Sequence, residues 1–255
     1  MSINFREKHM ARIFALFLIL FVQTGLSAAD GLHTTSFVGW SESLNSTLKI
    51  HREGASDITH QAKWEGRSFR DSIYYAIRFE DWKDNEGWGI EWIHHKIYLS
   101  NLTSEIQDFS VSDGYNLLFL TKAWRDAGTI YRLSAGLALS HPDVTLAGRA
   151  RFWNDGGMGG TYLTGFGVGG GVETWLVESD RHFVSLEGKL TLAYAKVPIS
   201  KNKSEYGDTG INVGFHVMLG FGSKPIKDPD LTDHLLYWLV PGGAQAISQY
   251  IPTRK

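Results

Sequence analysis

The sequence predicts an all-β protein: an eight-stranded antiparallel up-and-down transmembrane β-barrel with a short C-terminal tail. Three observations predict it. Segments of period-two alternation recur along the chain. The connections between them alternate between long and short, and the one unbroken apolar run lies at the N-terminus. Composition agrees. Among 255 residues there are 28 Gly and 6 Pro, with 13% aromatics, a mixture that suits strands and tight turns better than a helical bundle. An apolar content of 43% resembles that of a soluble chain. A barrel with a polar lumen gives this average, because only alternate residues face lipid.

The first element is a secretory signal peptide over residues 1–29. Arg6, Lys8 and Arg12 form a positive n-region, Ile13 to Val22 is the apolar core, and Ser27-Ala28-Ala29 supplies small residues for cleavage near Ala29. The competing reading is an uncleaved anchor, but the run has 10 residues against the ~20 needed to span a bilayer. The barrel is then expected over residues 30–222 and the tail over 223–255.

Strands follow in order. The first is read over Gly39 to Arg52. In Ser72 to Trp82, Ile73, Tyr75, Ile77 and Phe79 share one face, while Ser72, Tyr74, Ala76, Arg78 and Glu80 share the other. Trp88 to Leu99 and Gly114 to Trp124 are the third and fourth. In Thr129 to Ser140, Tyr131, Leu133, Ala135, Leu137 and Leu139 oppose Arg132, Ser134, Gly136, Ala138 and Ser140. Tyr162 to Leu176 is the sixth. In His182 to Val197, Val184, Leu186, Leu190, Leu192 and Tyr194 oppose Ser185, Glu187, Lys189, Thr191 and Ala193. The last, Ile211 to Phe221, sets Ile211, Val213, Phe215, Val217, Leu219 and Phe221 against Asn212, Gly214, His216, Met218 and Gly220. These segments are long enough for tilted strands to cross a bilayer, which takes about 9–11 residues.

Gly54–Arg70, Ser100–Asp113, His141–Gly160 and Pro198–Thr209 are the long connections. Lys83–Gly87, Asp126–Gly128 and Val177–Arg181 are the short ones. Short inner turns and long external loops are the pattern of outer-membrane barrels. Trp40, Trp82, Tyr115, Trp124 and Trp175 are candidates for interfacial girdles. A soluble lipocalin-like barrel would turn its apolar face inward. The small residues Ser134, Gly136, Ala138, Ser140, Gly214 and Gly220 argue for the opposite, since they suit a crowded lumen while large aliphatics face lipid. In the tail, Asp230 to Val240 reads as a short amphipathic helix stopped by Pro241-Gly242-Gly243.

The chain has no Cys, which excludes disulfides, thiolate nucleophiles and Cys-ligated metals. A net charge of -2 offers no nucleic-acid footprint or polybasic anchor. No nucleotide, zinc-protease or nucleophile-elbow motif occurs. Gly156 to Gly160 lacks the strand-to-helix context of a phosphate cradle and reads as a loop. Three clusters stand out: Trp64 to Arg67 in the first long loop; Glu91 to Tyr98 in the third strand; and Ser112 to Asn116, beside Ser140-His141-Pro142. Alternation places Trp92, His94, Lys96 and Tyr98 on one face, and Glu91 with His95 on the other. A His beside a carboxylate suits a metal site or an acid–base pair; from spacing alone a lumen hydrogen-bond network or surface polar residues at a loop base are the favoured reading. All three clusters approach the external rim in this topology.

WEGRSF (Trp64 to Phe69), YYAIR (Tyr74 to Arg78), GWGIEWIHHKIYL (Gly87 to Leu99) and SDGYNLL (Ser112 to Leu118) together resemble the rhizobial lipid A oxidase family of outer-membrane proteins. A Gly-containing strand ending near His141-Pro142 resembles that family's fifth strand. The resemblance covers about half of the mature chain. It implies an eight-stranded barrel that oxidises the proximal glucosamine of lipid A to an aminogluconate using molecular oxygen. It brings no assigned catalytic residues; the positions that match its pattern are Glu65, Arg78, His94, Lys96, Tyr98, Asp113 and Asn116. Three features depart from it: the second histidine His95, the order His141-Pro142, and the tail after Phe221.

On this reading Glu65, His94, Asp113 and His141 are the candidate catalytic residues, as base or as ligands of a divalent metal. Arg78, Lys96, Tyr98, Asn116 and Lys189 are the candidate substrate-binding residues, with Arg78, Lys96 and Lys189 pairing with phosphates. The expected location is a bacterial outer membrane. The expected partner is its lipid, lipid A in particular, with no nucleic acid and a monomeric state. The alternative is a non-enzymatic barrel with a structural or ligand-binding role.

Overall fold

A computed structural model describes residues 30–70, 73–150, 160–200 and 203–225. The expected signal peptide, the Asp230 to Val240 helix and Gly156 to Gly159 lie outside the described residues. In chain order the strands are β1 (Gly31–Ser43), β2 (Ser46–His51), β3 (Ile58–Ala62), β4 (Trp64–Glu65), β5 (Tyr75–Lys83), β6 (Glu86–Leu99) and β7 (Ile106–Asp126). They continue with β8 (Thr129–Ser140), β9 (Asp143–Leu146), β10 (Arg149–Ala150), β11 (Tyr162–Glu178), β12 (His182–Pro198) and β13 (Tyr206–Ser223).

Eight of these form a closed ring in the order β1-β5-β6-β7-β8-β11-β12-β13, and every pairing is antiparallel. The ring closes where β1 meets β13, with Phe37 opposite Gly220 and Trp40 opposite Val217. Turns of two or three residues join strands at one end. Asp84 (φ 55), Ala127 (φ 46) and Gly128 (φ 82) adopt the left-handed conformations such hairpins require. This is the turn end; the opposite, loop end carries the long connections.

The alternation predicted from sequence sorts into inward and outward faces, and it sorts with inverted polarity. Outside, Ile90, Leu120, Leu133, Leu137, Phe166, Val168, Leu190, Leu192, Ile211, Leu219 and Phe221 are exposed. Inside, Arg78, Glu80, Glu91, Arg132, Glu173, Glu187 and Lys189 are buried. In water each outer side chain forgoes about 1.5–3 kcal/mol of burial. In hydrocarbon the same surface is the stable one. Exposed Trp88, Trp124 and Tyr131 ring the turn end, where amphipathic rings suit an interface. The small lumen residues are required by packing. A Cβ on Gly220 would lie 2.4 Å from Ser185 Oγ and 2.6 Å from the Phe37 ring, and one on Gly214 would lie 2.6 Å from Thr191 Oγ1.

Several expectations are corrected. The first barrel strand is β1, beginning at Gly31 rather than Gly39. The segment read as one strand to Arg52 breaks after Ser43, and β2 leaves the wall to pair with β3 and the top of β13. The long connections are not wholly irregular. They contain β3, β4, β9, β10 and the upper parts of β7 and β13, so β7 reaches 21 residues, about twice a membrane crossing. These extensions build an apolar core above the barrel from Leu48, Ile50, Trp64, Ile97, Leu99, Ile106, Phe109, Val111, Val197 and Ile199. Among the expected girdle residues, Trp82 and Trp175 turn inward instead and pack with Ala123, Ile130 and Phe183 as a floor. Tyr115 is likewise buried.

Candidate functional site

Between that floor and the upper core lies a charged layer. Glu80 on β5 accepts a forked pair from Arg132 on β8, Nε to Oε1 at 2.7 Å and Nη2 to Oε2 at 2.8 Å, and a third bond from Thr121 at 3.0 Å. Arg132 Nη1 continues to Glu173 Oε2 on β11 at 3.0 Å. Arg78 shares that oxygen at 3.0 Å and also donates to Glu91 and Glu187, each at 2.5 Å. Lys189 on β12 bonds Glu91 and lies 3.2 Å from Glu187. Arg125, near the floor, stacks on Trp175 at 4.1 Å and acts electrostatically on Glu173. Four cations thus face four carboxylates drawn from six strands, the mutual compensation that buried charge needs.

This layer answers two sequence expectations. Arg78 and Lys189 are 1% and 2% exposed and committed to carboxylates inside the ring, so neither faces a phosphate outside. A strand with an isolated lumen charge shows no partner in its own sequence, because the partners come from other strands. The layer also closes the lumen. The void bounded by His33, Glu80, Trp82, Arg132, Glu173 and Trp175 measures about 10 Å³, room for about one water.

Above it the lumen holds a neutral polar cluster. Ser43 donates to Asn212 Oδ1 at 3.1 Å and lies 2.9 Å from His95 Nε2, while His95 Nδ1 lies 3.1 Å from Ser41 Oγ. His95 is thus held through both ring nitrogens by hydroxyls of β1. His216 stands 5.2 Å from His95, ring to ring, with Tyr74 Oη 2.9 Å from its Nδ1 and Thr191 Oγ1 2.9 Å from its Nε2. Sequence alternation put His95 on the Glu91 face, as found, but did not single out Tyr74 or His216. Their positions on the polar faces of β5 and β13 were the available signal.

The other sequence-predicted residues lie near the loop end, where His94, Lys96, Asn116 and His141 are buried. Glu91 and His95 face inward, so His94 faces outward. It stacks on Tyr75 at 4.9 Å, and its Nδ1 lies 2.8 Å from Asn116 Oδ1. Asp113 falls within a β7 bulge: His95 pairs with Tyr115 but Ile97 with Val111, and Gly114 takes φ 125. The His141 N–H donates to the Gly114 carbonyl at 3.1 Å. The backbones at His94, Asp113, Asn116 and His141 therefore meet on three neighbouring strands. Glu65 does not join them. It faces Arg67, Nε to Oε2 at 3.5 Å.

Lys96 and Tyr98 support the chain between β4 and β5. Lys96 is buried, and its ammonium donates to the Arg67 carbonyl at 2.9 Å and the Arg70 carbonyl at 2.5 Å. The Arg67 guanidinium lies 4.2 Å over the Tyr98 ring. An open cleft of about 430 Å³ follows, lined by Trp40, Glu42, Glu65, Arg67, Ser68, Phe69 and Arg70. On the extension above, burial raises the Asp108 carboxyl above the usual range, Asp143 raises it further, and Arg67 opposes both. Among the described residues no three His, Cys, Asp or Glu side chains converge to hold a metal ion.

No described protein family matches the chain, and no curated protein does. Solved structures match it at low identity. Neisserial surface protein A (NspA) matches at 12% identity and a TM-score of 0.36, over 76% of this chain and 97% of its own. Ail, the attachment invasion locus protein of Yersinia pestis, matches at 12% and 0.37, over 76% and 99%. The outer membrane protein OprG of Pseudomonas aeruginosa matches at 13% and 0.38, over 78% and 97%. The barrel itself is read from the strand register above, not from these likenesses.

Proposed function

We propose that this chain is a bacterial outer-membrane β-barrel that conducts no solute and acts on outer-leaflet lipid through its external outer wall, with lipid A as the lipid. The observation that supports this reading is the inverted polarity of the wall: Trp88 and Ile90 stand exposed on the outward face of β6 while the alternate Glu91 is buried in the lumen. Higher on the same strand His94 and Lys96 are buried. A filled lumen leaves that wall as the place for function.

The catalytic form of the proposal, oxidation of the proximal glucosamine, rests on the resemblance to lipid A oxidases. In it His94, beside Asn116 and the Asp113 bulge, contacts the sugar. The non-enzymatic alternative is favoured by a separate observation: His95 and His216 are engaged with Ser, Thr and Tyr partners and serve the lumen packing. Expression in an outer membrane lacking the protein, followed by mass spectrometry of lipid A, separates the two. A gain of one oxygen that disappears in His94→Ala supports the oxidase. Unchanged lipid A, with the protein inserted and heat-modifiable on gels, removes the oxidase and leaves a binding or structural barrel.

A further inference from the structure

The segment between β4 and β5 is an interruption of the barrel wall. Glu65 is the last residue of β4, opposite Tyr98, and Tyr75 is the first of β5, opposite His94. Both run antiparallel to β6, so β4 is the upper continuation of β5. Residues 66–70 leave the strand path between them and form a turn beside β1. Its backbone is pinned. The Gly66 N–H donates to Glu42 at 3.2 Å. Ser68 Oγ accepts the Ser41 N–H at 2.9 Å and donates to the Ser41 carbonyl at 3.2 Å. The buried Lys96 ammonium holds the Arg67 and Arg70 carbonyls from beneath. The Arg70 N–H closes the turn on the Arg67 carbonyl at 3.1 Å.

What this pinned turn presents is unlike either neighbour. Phe69 is 74% exposed and Ile73 55%, on the same outer wall as the apolar belt. Arg67 and Arg70 flank Phe69, both exposed. With Lys96 they set three cations near Glu42, Glu65 and Asp108, the last also acted on by Arg67. Glu42 is buried against the Gly66 N–H, and Glu65 faces Arg67 alone. Apolar tips with guanidinium groups on either side match a lipid at its headgroup level: acyl chain below, phosphate at the level of the arginines.

We propose that the 66–70 turn with Ile73 is a docking site for the phosphate of an outer-leaflet lipid headgroup. Arg67 and Arg70 hold the phosphate, and Phe69 and Ile73 enter the acyl region. The proposal rests on the membrane reading above and adds a site apart from the His94 patch. It is tested by titrating the full barrel, in detergent micelles, with diphosphoryl lipid A, with the same lipid stripped of phosphate, and with inorganic phosphate. Wild type should prefer the phosphorylated lipid by about tenfold or more, as charged hydrogen bonds warrant. Arg67→Gln/Arg70→Gln should lose that preference while staying heat-modifiable, and Phe69→Ser should weaken both lipids alike. Inorganic phosphate at millimolar concentration should not compete. Equal binding of the two lipids by wild type, an undiminished preference in the double variant, or full competition by inorganic phosphate would each overturn the proposal. A protein that fails to insert into membranes at all would instead overturn the membrane reading, so the two failures are distinguishable.

Discussion

Replacing Arg78 by Met removes the centre of the lumen network and keeps a side chain of similar length. Arg78 donates to Glu173 at 3.0 Å and to Glu91 and Glu187 at 2.5 Å. Each carboxylate keeps another partner: Lys189 for Glu91, Arg132 for Glu173, and both for Glu187. The three losses therefore do not add at full value. Breaking one buried ion pair costs about 3–5 kcal/mol, and Arg78→Met should fall in that range. Urea unfolding in lipid vesicles, followed by tryptophan fluorescence and gel mobility, measures it. Adding Glu187→Gln restores equal numbers of cations and carboxylates, so Arg78→Met/Glu187→Gln should recover part of the loss, a positive coupling in a double-mutant cycle. A single variant within about 1 kcal/mol of wild type, or a double variant whose losses simply add, would refute the idea that Arg78 compensates three charges at once.

Three further outcomes follow from the same structure. Leu133 lies on the outer face of β8, 59% exposed, so Leu133→Arg should cost about 2–4 kcal/mol in a bilayer; in a water-facing wall vesicle unfolding would register almost nothing. Asp108 has a raised carboxyl pKa from burial and Asp143. Its contribution to stability is present below the ordinary aspartate range and is lost as pH rises through the elevated folded value. Protection factors in the β7–β9 extension, exchange taken relative to the unstructured rate at each pH, should therefore rise on acidification, and Asp108→Asn should remove that rise; protection that falls through the same window would contradict it. Finally, the filled lumen predicts no stepwise ion conductance in planar bilayers, and regular single-channel steps would count against the packing described.

Much of the barrel was legible because side-chain direction in a strand has period two. That one rule placed Arg78, Glu91, His95, Lys189 and His216 on polar faces and Leu133, Leu137 and Ile211 on the opposite ones. The β1–β2 break was not legible, since alternation resumes after Asn45 with no Gly or Pro to mark the exit. The loop-end hairpins were missed because strands of two to six residues between turn residues read as loops. For the site, sequence put His94, Lys96 and Tyr98 on one face of the third strand and brought their cluster and that of Asn116 near the external rim. It could not foresee that Lys96 holds carbonyls of the 66–70 turn, because that contact depends on how the chain bulges between β4 and β5. The pairing of Arg78 and Lys189 with Glu91, Glu173 and Glu187 was equally hidden, because it joins residues up to 109 positions apart.

The central claim is that the apolar faces meet lipid and the charged faces fill the lumen. The chain contains no cysteine, so single cysteines can be placed along β8 and labelled with a fluorophore in vesicles containing quencher-bearing lipid. The account predicts strong lipid quenching at Tyr131→Cys, Leu133→Cys, Ala135→Cys and Leu137→Cys, with little at Ser134→Cys and Ala138→Cys. Uniform quenching by an aqueous quencher along the strand, or a period-two pattern of the opposite phase, would contradict it.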